Sequence, residues 1–133
     1  MCGFAGKLSL NSLNRDSYLD KQFDKAYQRL RSRGPDDKGI WVDRNIYLLH
    51  TRLKILDLSK DSSQPMQRGN YVICFNGEIY NFKELKLELT KKGHKFFSNG
   101  DTEVLISAWL EWGASMLEKL DGMFSFIIWD VKN

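Results

Sequence analysis

A cysteine at the second position is the first residue of this chain that could do chemistry. Met1 directly precedes Cys2, and removal of Met1 would expose a free α-amino group on Cys2. An α-amine has a pKa of about 7.7–8.0 and a thiol one of about 8.5, so the amine could accept the proton of its own thiol near neutral pH. Cys2 is therefore a candidate nucleophile. The plainer interpretation is a small packing residue at the start of a strand.

An asparagine–glycine pair is the second candidate. Asn76-Gly77 lies between the apolar residues 71–75 and the segment 78–80. This pair favours a two-residue hairpin turn, because both positions tolerate a positive φ, and we expect a tight turn here. The same pair could instead form an oxyanion hole, since an asparagine amide and a neighbouring backbone N–H can donate to one developing negative charge.

Two residues of opposite charge could bind a zwitterion. Arg52 ends an apolar strand, and Asp101 opens a predicted helix. Arginine can bind a carboxylate through two parallel hydrogen bonds, which lysine cannot reproduce. Asp101 could cap its helix, bind an ammonium group, or do both. The plainer interpretations are a solvated charge at a strand end and a helix cap. Together the pair would suit a free amino acid.

Hydrophobic periodicity predicts the elements that position these residues. Asn81 is expected to cap its helix, with Glu84 three residues later as in a capping box, and residues 61–69 are expected to form a loop. Short hairpin-linked strands mixed with helices indicate an α+β layered sandwich. The predicted strands are 3–10, 39–43, 46–52, 71–75 and 123–130, and the predicted helices are 17–33, 81–92 and 101–112.

Composition restricts the function classes. A chain of 133 residues suggests one domain, and its formal charge of +3, with scattered basic residues, gives no indication of nucleic acid binding. No apolar run approaches the ~20 residues of a membrane span, and the N-terminus lacks a signal-peptide pattern. Two cysteines and two histidines form no metal-binding pattern. We expect no metal, no membrane contact and a cytoplasmic location.

Five short motifs follow one another along the whole chain, and each is weak alone. The ordered series resembles the class II glutamine amidotransferases, which are N-terminal-nucleophile hydrolases. The second and fourth motifs resemble the glutaminase domain of glutamine-dependent asparagine synthetases in particular. The motifs are Met1-Cys2-Gly3-Phe4-Ala5-Gly6, Arg33-Gly34-Pro35-Asp36, His50-Thr51-Arg52-Leu53, Phe75-Asn76-Gly77-Glu78-Ile79-Tyr80-Asn81 and Asn99-Gly100-Asp101-Thr102-Glu103.

The resemblance implies a fold and a reaction. The fold would be a four-layer αββα sandwich with two antiparallel sheets between helices. Cys2 would attack the side-chain amide of glutamine, release ammonia and form a γ-glutamyl thioester, which water would hydrolyse. Asn76 and Gly77 would form the oxyanion hole. The implied substrate-binding residues are Arg52 for the α-carboxylate, Asp101 and Glu78 for the α-ammonium, and Ile55 through its backbone.

The resemblance also implies that residues 1–133 are incomplete at the C-terminus. Glutaminase domains of this kind continue into further strands, and a synthetase domain follows them. ATP and Mg²⁺ are expected only for that absent domain, and no cofactor is expected for this one. An unpaired sheet edge would favour association with a synthetase domain or chain, or with a second copy in a homo-oligomer.

The sequence is compatible with three functions. The chain could be a glutaminase that supplies ammonia for asparagine synthesis. It could be an inactive or partner-dependent fragment, or an amidotransferase domain that serves a different ammonia acceptor. A cysteine protease is a weaker fit, because it needs a positioned histidine, and neither His50 nor His94 has a suitable sequence context.

Overall fold

The computed structural model describes residues 2–13 and 16–132 and contains two antiparallel sheets and three α-helices. Short 3-10 helices lie at Lys60–Ser62 and Gly113–Lys119. The strands are β1 (Gly3–Leu8), β2 (Asp37–Val42), β3 (Ile46–Arg52), β4 (Met66–Arg68), β5 (Tyr71–Ile79) and β6 (Gly122–Asp130). The helices are α1 (Ser17–Leu30), α2 (Phe82–Lys91) and α3 (Asp101–Trp112).

The first sheet has the order β1-β3-β2, and its central strand β3 is buried along its whole length. Successive side chains of a strand point to opposite faces. Tyr47 and Leu49 pack in a cluster with residues of α1, whereas Ile46 and Leu48 pack against the second sheet. Burial on both faces explains why this strand is apolar at every position from 46 to 49.

The second sheet has the order β4-β5-β6 and lies between the first sheet and the other two helices. Val72 and Cys74 of β5 pack toward the first sheet, and Ile73 and Phe75 pack in the cluster that contains α2 and α3. The layer order is therefore α1, first sheet, second sheet, and α2 with α3. The predicted αββα sandwich is confirmed.

The turn predicted at Asn76-Gly77 is wrong, because β5 continues through both residues. β6 pairs with β5 along its whole length, so that Gly77 lies opposite Phe124. Gly77 has φ +150, and a Cβ there would come within 2.2 Å of the carbonyl oxygen of Met123. Pairing with a distant strand overrides the local turn preference, and glycine is needed for this close approach.

Other local predictions also fail where distant partners intervene. Residues 61–69 are not simply loop, since β4 pairs with β5 there. The Asn81 side chain does not cap α2. It donates to the carbonyl oxygen of Lys119 at 2.9 Å and accepts from the N–H of Asp121 at 3.0 Å. Gly100, rather than Asp101, occupies the N-cap position of α3.

Three features of the described residues bear on the expectations from composition. None of their helices is long and apolar enough to cross a bilayer. They contain no group of three or more His, Cys, Asp or Glu residues that could hold a metal ion. Cys2 and Cys74 are both free thiols.

Candidate active site

A cavity of about 160 Å³ opens where β3 and β5 approach the start of α3. It gathers residues from four of the five sequence motifs and from the loop that follows β3. Six of the seven predicted site residues line it, and Asn76 is not among the lining residues. The six are Cys2, Arg52, Ile55, Gly77, Glu78 and Asp101.

Cys2 is half-buried and held from two sides. Its Sγ accepts a hydrogen bond from the backbone N–H of Leu53 at 3.4 Å and lies 3.8 Å from the carbonyl oxygen of the same residue. Its own carbonyl oxygen accepts from Nε of Arg33 at 3.2 Å. β1 begins directly after it, with Gly3 opposite Thr51 of β3. The thiol therefore sits beside the end of the strand that carries Arg52.

The second motif holds this strand end in place. A Cβ on Gly34 would lie 2.3 Å from the carbonyl of Thr51, so only glycine lets the chain approach β3 this closely. Asp36 donates its N–H to the carbonyl oxygen of Arg52 at 3.0 Å. The Asp36 carboxylate accepts from the N–H of Lys54 at 2.8 Å. The sequence identified this motif only as part of the family resemblance.

Arg52 places a buried cation on the cavity wall. Arg52 is only 5% exposed. Nη1 donates to the carbonyl oxygen of Ser59 at 2.7 Å, and Nη2 donates to the carbonyl oxygen of Asp57. Within residues 2–13 and 16–132, no side-chain carboxylate forms an ion pair with this guanidinium. A buried arginine without an anionic partner suits a ligand carboxylate.

Asp57 was not predicted as a site residue, yet it organises the loop whose carbonyl oxygens accept hydrogen bonds from Arg52. Its carboxylate accepts from the N–H of Ser59 at 2.7 Å, the hydroxyl of Ser62 at 3.0 Å and the N–H of Asn99 at 2.7 Å. The N–H groups of Asn99 and Ser59 hold the pKa of the Asp57 carboxyl well below its usual range. An aspartate two residues before a serine is a local turn signature, but the partner at Asn99 has no sequence signal.

Asp101 brings a buried carboxylate to the same cavity. It is the first residue of α3, and its Oδ2 accepts from the N–H of Ile79 at 3.1 Å. Burial raises the pKa of the Asp101 carboxyl, the Ile79 N–H opposes that rise, and the nearby Glu78 adds to it. A ligand cation in the cavity would stabilise the ionised form. The cavity thus presents a cation and a carboxylate to one ligand.

The family model of the glutamine amidotransferase domain matches residues 1–133. This chain belongs to that family.

Curated relatives of this amidotransferase domain are considerably longer than it is. Asparagine synthetase [glutamine-hydrolyzing] 3 of Bacillus subtilis is 35% identical over 137 residues, which cover 99% of this chain and 22% of the relative. Asparagine synthetase [glutamine-hydrolyzing] 1 of the same organism is 36% identical over 132 residues, with 98% and 21% covered. The maize asparagine synthetase [glutamine-hydrolyzing] is 41% identical over 108 residues, with 80% and 18% covered. The chain spans about a fifth of the length of these relatives.

A solved structure supports the fold. The glutamine phosphoribosylpyrophosphate amidotransferase of Bacillus subtilis matches with a TM-score of 0.54 and 22% sequence identity. The match covers 64% of this chain and 21% of that chain. The predicted N-terminal-nucleophile hydrolase fold is thus confirmed on both the layer order and this likeness.

Two further polar side chains of the amidotransferase domain support the cavity, and the sequence assigned a role to neither. Gln64 is buried, accepts from the N–H of Phe75 at 2.6 Å and donates to the hydroxyl of Thr102 at 3.1 Å. Glu103 accepts from the N–H and the hydroxyl of Ser98, each at 2.8 Å. These bonds join β5 and the segment before α3 to the first turn of that helix, which carries Asp101.

The side chain of Asn76 shares the face of β5 that carries Val72 and Cys74, as strand alternation requires. That face is directed toward the first sheet. The Oδ1 of Asn76 is buried and has no hydrogen-bond partner among residues 2–13 and 16–132. Gly77 lines the cavity and Asn76 directly precedes it on β5, and the role of Asn76 in an oxyanion hole stays a prediction.

His50 and Cys74 lie inside the amidotransferase core and do not line the cavity. Nε2 of His50 donates to the carbonyl oxygen of Phe75 at 3.0 Å, joining β3 to β5. Burial lowers the pKa of His50 to about 4 and raises the pKa of the Cys74 thiol to about 12. His50 is therefore neutral near pH 7, and it is not placed to act as a base for Cys2.

Proposed function

We propose that this domain hydrolyses glutamine to glutamate and ammonia, with Cys2 as the nucleophile. The observation that supports this most directly is the composition of the cavity wall. Within the part of the chain that the structure describes, a half-buried thiol, a buried guanidinium without an anionic partner and a buried carboxylate line one cavity of about 160 Å³. Glutamine carries the matching groups, which are a side-chain amide for the thiol, an α-carboxylate and an α-ammonium.

The reaction requires only the chain's own groups and water. After removal of Met1, the free α-amine of Cys2 takes the thiol proton, and the sulfur attacks the side-chain amide carbon of glutamine. The tetrahedral oxyanion collapses as the α-ammonium returns its proton to the departing nitrogen, which leaves as ammonia. Water then adds to the γ-glutamyl thioester, and glutamate and the free thiol are released.

The binding roles follow from charge and position. Arg52 would bind the α-carboxylate of glutamine, and Asp101 with Glu78 would bind its α-ammonium. The N–H of Gly77, with the amide of Asn76, would donate to the oxyanion. Ile55 is 68% exposed. It would contact glutamine through its backbone rather than through its side chain.

We further propose that the ammonia serves asparagine synthesis. The relatives named above are glutamine-hydrolysing asparagine synthetases, and this chain corresponds to about a fifth of their length. The acceptor chemistry, with its ATP and Mg²⁺, would belong to a synthetase domain or chain that receives the ammonia. We expect this domain and the synthetase domain or chain to work in the cytoplasm.

Intact-mass measurement before and after treatment with a diazo-ketone analogue of glutamine tests the proposal. The purified chain should have lost one methionine mass, should gain one label on Cys2, and should be protected by excess glutamine. The Cys74→Ala variant should label as the unmodified chain does, and Cys2→Ala should not label. Equal labelling of Cys2→Ala, or a Met-processed chain that neither labels nor releases ammonia, would overturn the proposal.

A further inference from the structure

We propose that Asp57 is a positioning residue for glutamine, which acts by holding Arg52 and by tying the Arg52 side of the cavity to the Asp101 side. The inference rests on the proposed function. It concerns a residue that neither the sequence motifs nor the proposed chemistry uses. Three groups of contacts carry it.

The first group fixes the guanidinium. Arg52 donates Nη1 to the carbonyl oxygen of Ser59 and Nη2 to the carbonyl oxygen of Asp57. Two acceptors on different nitrogens define the plane of a guanidinium, and bidentate binding of a carboxylate depends on that plane. The orientation of Arg52 is therefore set by the backbone shape of the loop at 57–59.

The second group fixes that backbone shape. One carboxylate oxygen of Asp57 accepts from the N–H of Ser59, and the other accepts from the hydroxyl of Ser62. These bonds close the loop around the Asp57 side chain. Without them the two carbonyl oxygens that receive Arg52 would have no common anchor.

The third group links the two charged walls. The Asp57 oxygen that receives Ser62 also accepts from the N–H of Asn99 at 2.7 Å. Asn99 lies two residues before Asp101 and just before the start of α3. The buried Asp57 carboxylate thus fixes the distance between the segment that holds Arg52 and the segment that carries Asp101.

Cys2 depends on different contacts. Its thiol is held by the backbone of Leu53, and its carbonyl oxygen is held by Arg33. A change at Asp57 should therefore weaken glutamine binding far more than it changes the reactivity of the thiol. If Asp57 served only to stabilise the fold, its substitution would impair glutamine binding and thiol reactivity together.

The test compares Asp57→Asn with Asp61→Asn. Asparagine keeps the shape of aspartate but turns one acceptor oxygen into a donor that would face an N–H or hydroxyl donor. Asp61 is exposed, and its side chain lies in the same loop, so its variant is a matched control. The rate of Cys2 labelling by the diazo-ketone analogue is measured against its concentration, with iodoacetamide as an uncharged thiol reagent in parallel.

Asp57→Asn should raise the half-saturating analogue concentration about 10-fold and change the maximal labelling rate and the iodoacetamide rate less than about 3-fold. Asp61→Asn should match the unmodified chain. In an Arg52→Lys background, Asp57→Asn should add much less than this increase, because the part of its effect that acts through the guanidinium is already lost.

Several results would overturn the inference. One is an unchanged half-saturating concentration in Asp57→Asn, and another is a full additive effect on top of Arg52→Lys. If Asp57→Asn does not fold, Ser62→Ala removes one donor to the same carboxylate and should raise the concentration about 3-fold; no rise there would also overturn it. If the unmodified chain itself is not labelled, the proposed function fails and this inference falls with it. Normal labelling of the unmodified chain separates the two failures.

Discussion

The space between the two sheets has two halves that differ in character, although the same strands build both. In one half, Ile46 and Leu48 of β3 meet Val72 and Cys74 of β5 in an apolar cluster. In the other half, β3 ends in Arg52, and the space opens into the cavity beside Cys2. The transition occurs within a few residues along each strand.

The two cysteines show what this difference means chemically. Cys74 is fully buried, and burial raises the pKa of its thiol to about 12, so it is an inert packing group. Cys2 is half-buried on a cavity wall that also carries the charged residues Arg52 and Asp101. One residue type thus serves packing in one half and is available for chemistry in the other.

The largest expected effect is the loss of activity in Cys2→Ala. Glutamine hydrolysis should fall by at least about 1,000-fold, because the nucleophile is removed, while the unfolding midpoint changes little. Ammonia release and thermal unfolding measure the two quantities. Cys74→Ala is the matched control and should retain most of the activity. If Cys2→Ala keeps a rate near that of the unmodified chain, the contrast between the two thiols is wrong.

The next effect is a loss of stability in acid that originates at His50, which is buried and joins β3 to β5. The folded-state pKa of His50 is about 4 against 6.5 for the unfolded chain, so the unfolded state binds more protons between these values. His50 should therefore lower the free energy of unfolding as the pH falls from about 6.5 to 4, by up to about 3 kcal/mol. Above pH 6.5 it should have no effect.

Urea unfolding at pH 7 and pH 5 tests this, with His50→Gln as the comparison. Glutamine can still donate to the carbonyl oxygen of Phe75 but does not titrate. The pKa of Asp101 is raised in the folded state, so above its unfolded-state pKa this residue increases the free energy of unfolding as the pH falls. Both proteins contain Asp101, and the difference between them removes its contribution. An equal loss of stability in both proteins would show that His50 is not the cause.

A smaller effect is expected for Arg52→Lys in the cavity half. Lysine keeps the charge but cannot form the fork that binds a carboxylate or reach both loop carbonyl oxygens. The KM for glutamine should rise about 10- to 100-fold with a smaller change in kcat. Steady-state ammonia release measures both constants, and Arg44→Lys at an exposed position is the control. An unchanged KM would exclude Arg52 as the carboxylate-binding residue.

The smallest effect is the stability change in Cys74→Ala. Removal of one buried sulfur should cost about 1 kcal/mol of unfolding free energy, as expected for a small core truncation. Denaturant unfolding at pH 7 measures it. A loss as large as about 4 kcal/mol would mean that the apolar half tolerates change much less well than its composition suggests.

The sequence predicted those elements whose pattern is local. The bounds of β3 and α3 match the predicted residues 46–52 and 101–112, and α1 begins at Ser17 as predicted. Strong apolar periodicity decides such segments without help from distant residues. Six cavity residues were also named. Residue type and position indicated Cys2, Arg52, Gly77 and Asp101, whereas Glu78 and Ile55 were named only through the family resemblance.

The features that were missed depend on partners far away in the chain. β5 passes straight through Asn76-Gly77 because β6 pairs with it. Asp57 matters through the N–H of Asn99, and Gln64 through the hydroxyl of Thr102. No local pattern contains these pairings, so the residues that support the cavity were harder to identify than those that line it.

Intrinsic tryptophan fluorescence can report on the packing between the two sheets. Two of the four tryptophans, Trp41 and Trp129, pack against the apolar cluster there. The indole N–H of Trp129 donates to the Asp43 carboxylate at 2.5 Å, bridging from one sheet to the other. Separation of the sheets would expose both rings to water and break this bridge. Their fluorescence should therefore report opening of the sandwich, with a red shift in emission that needs no attached dye.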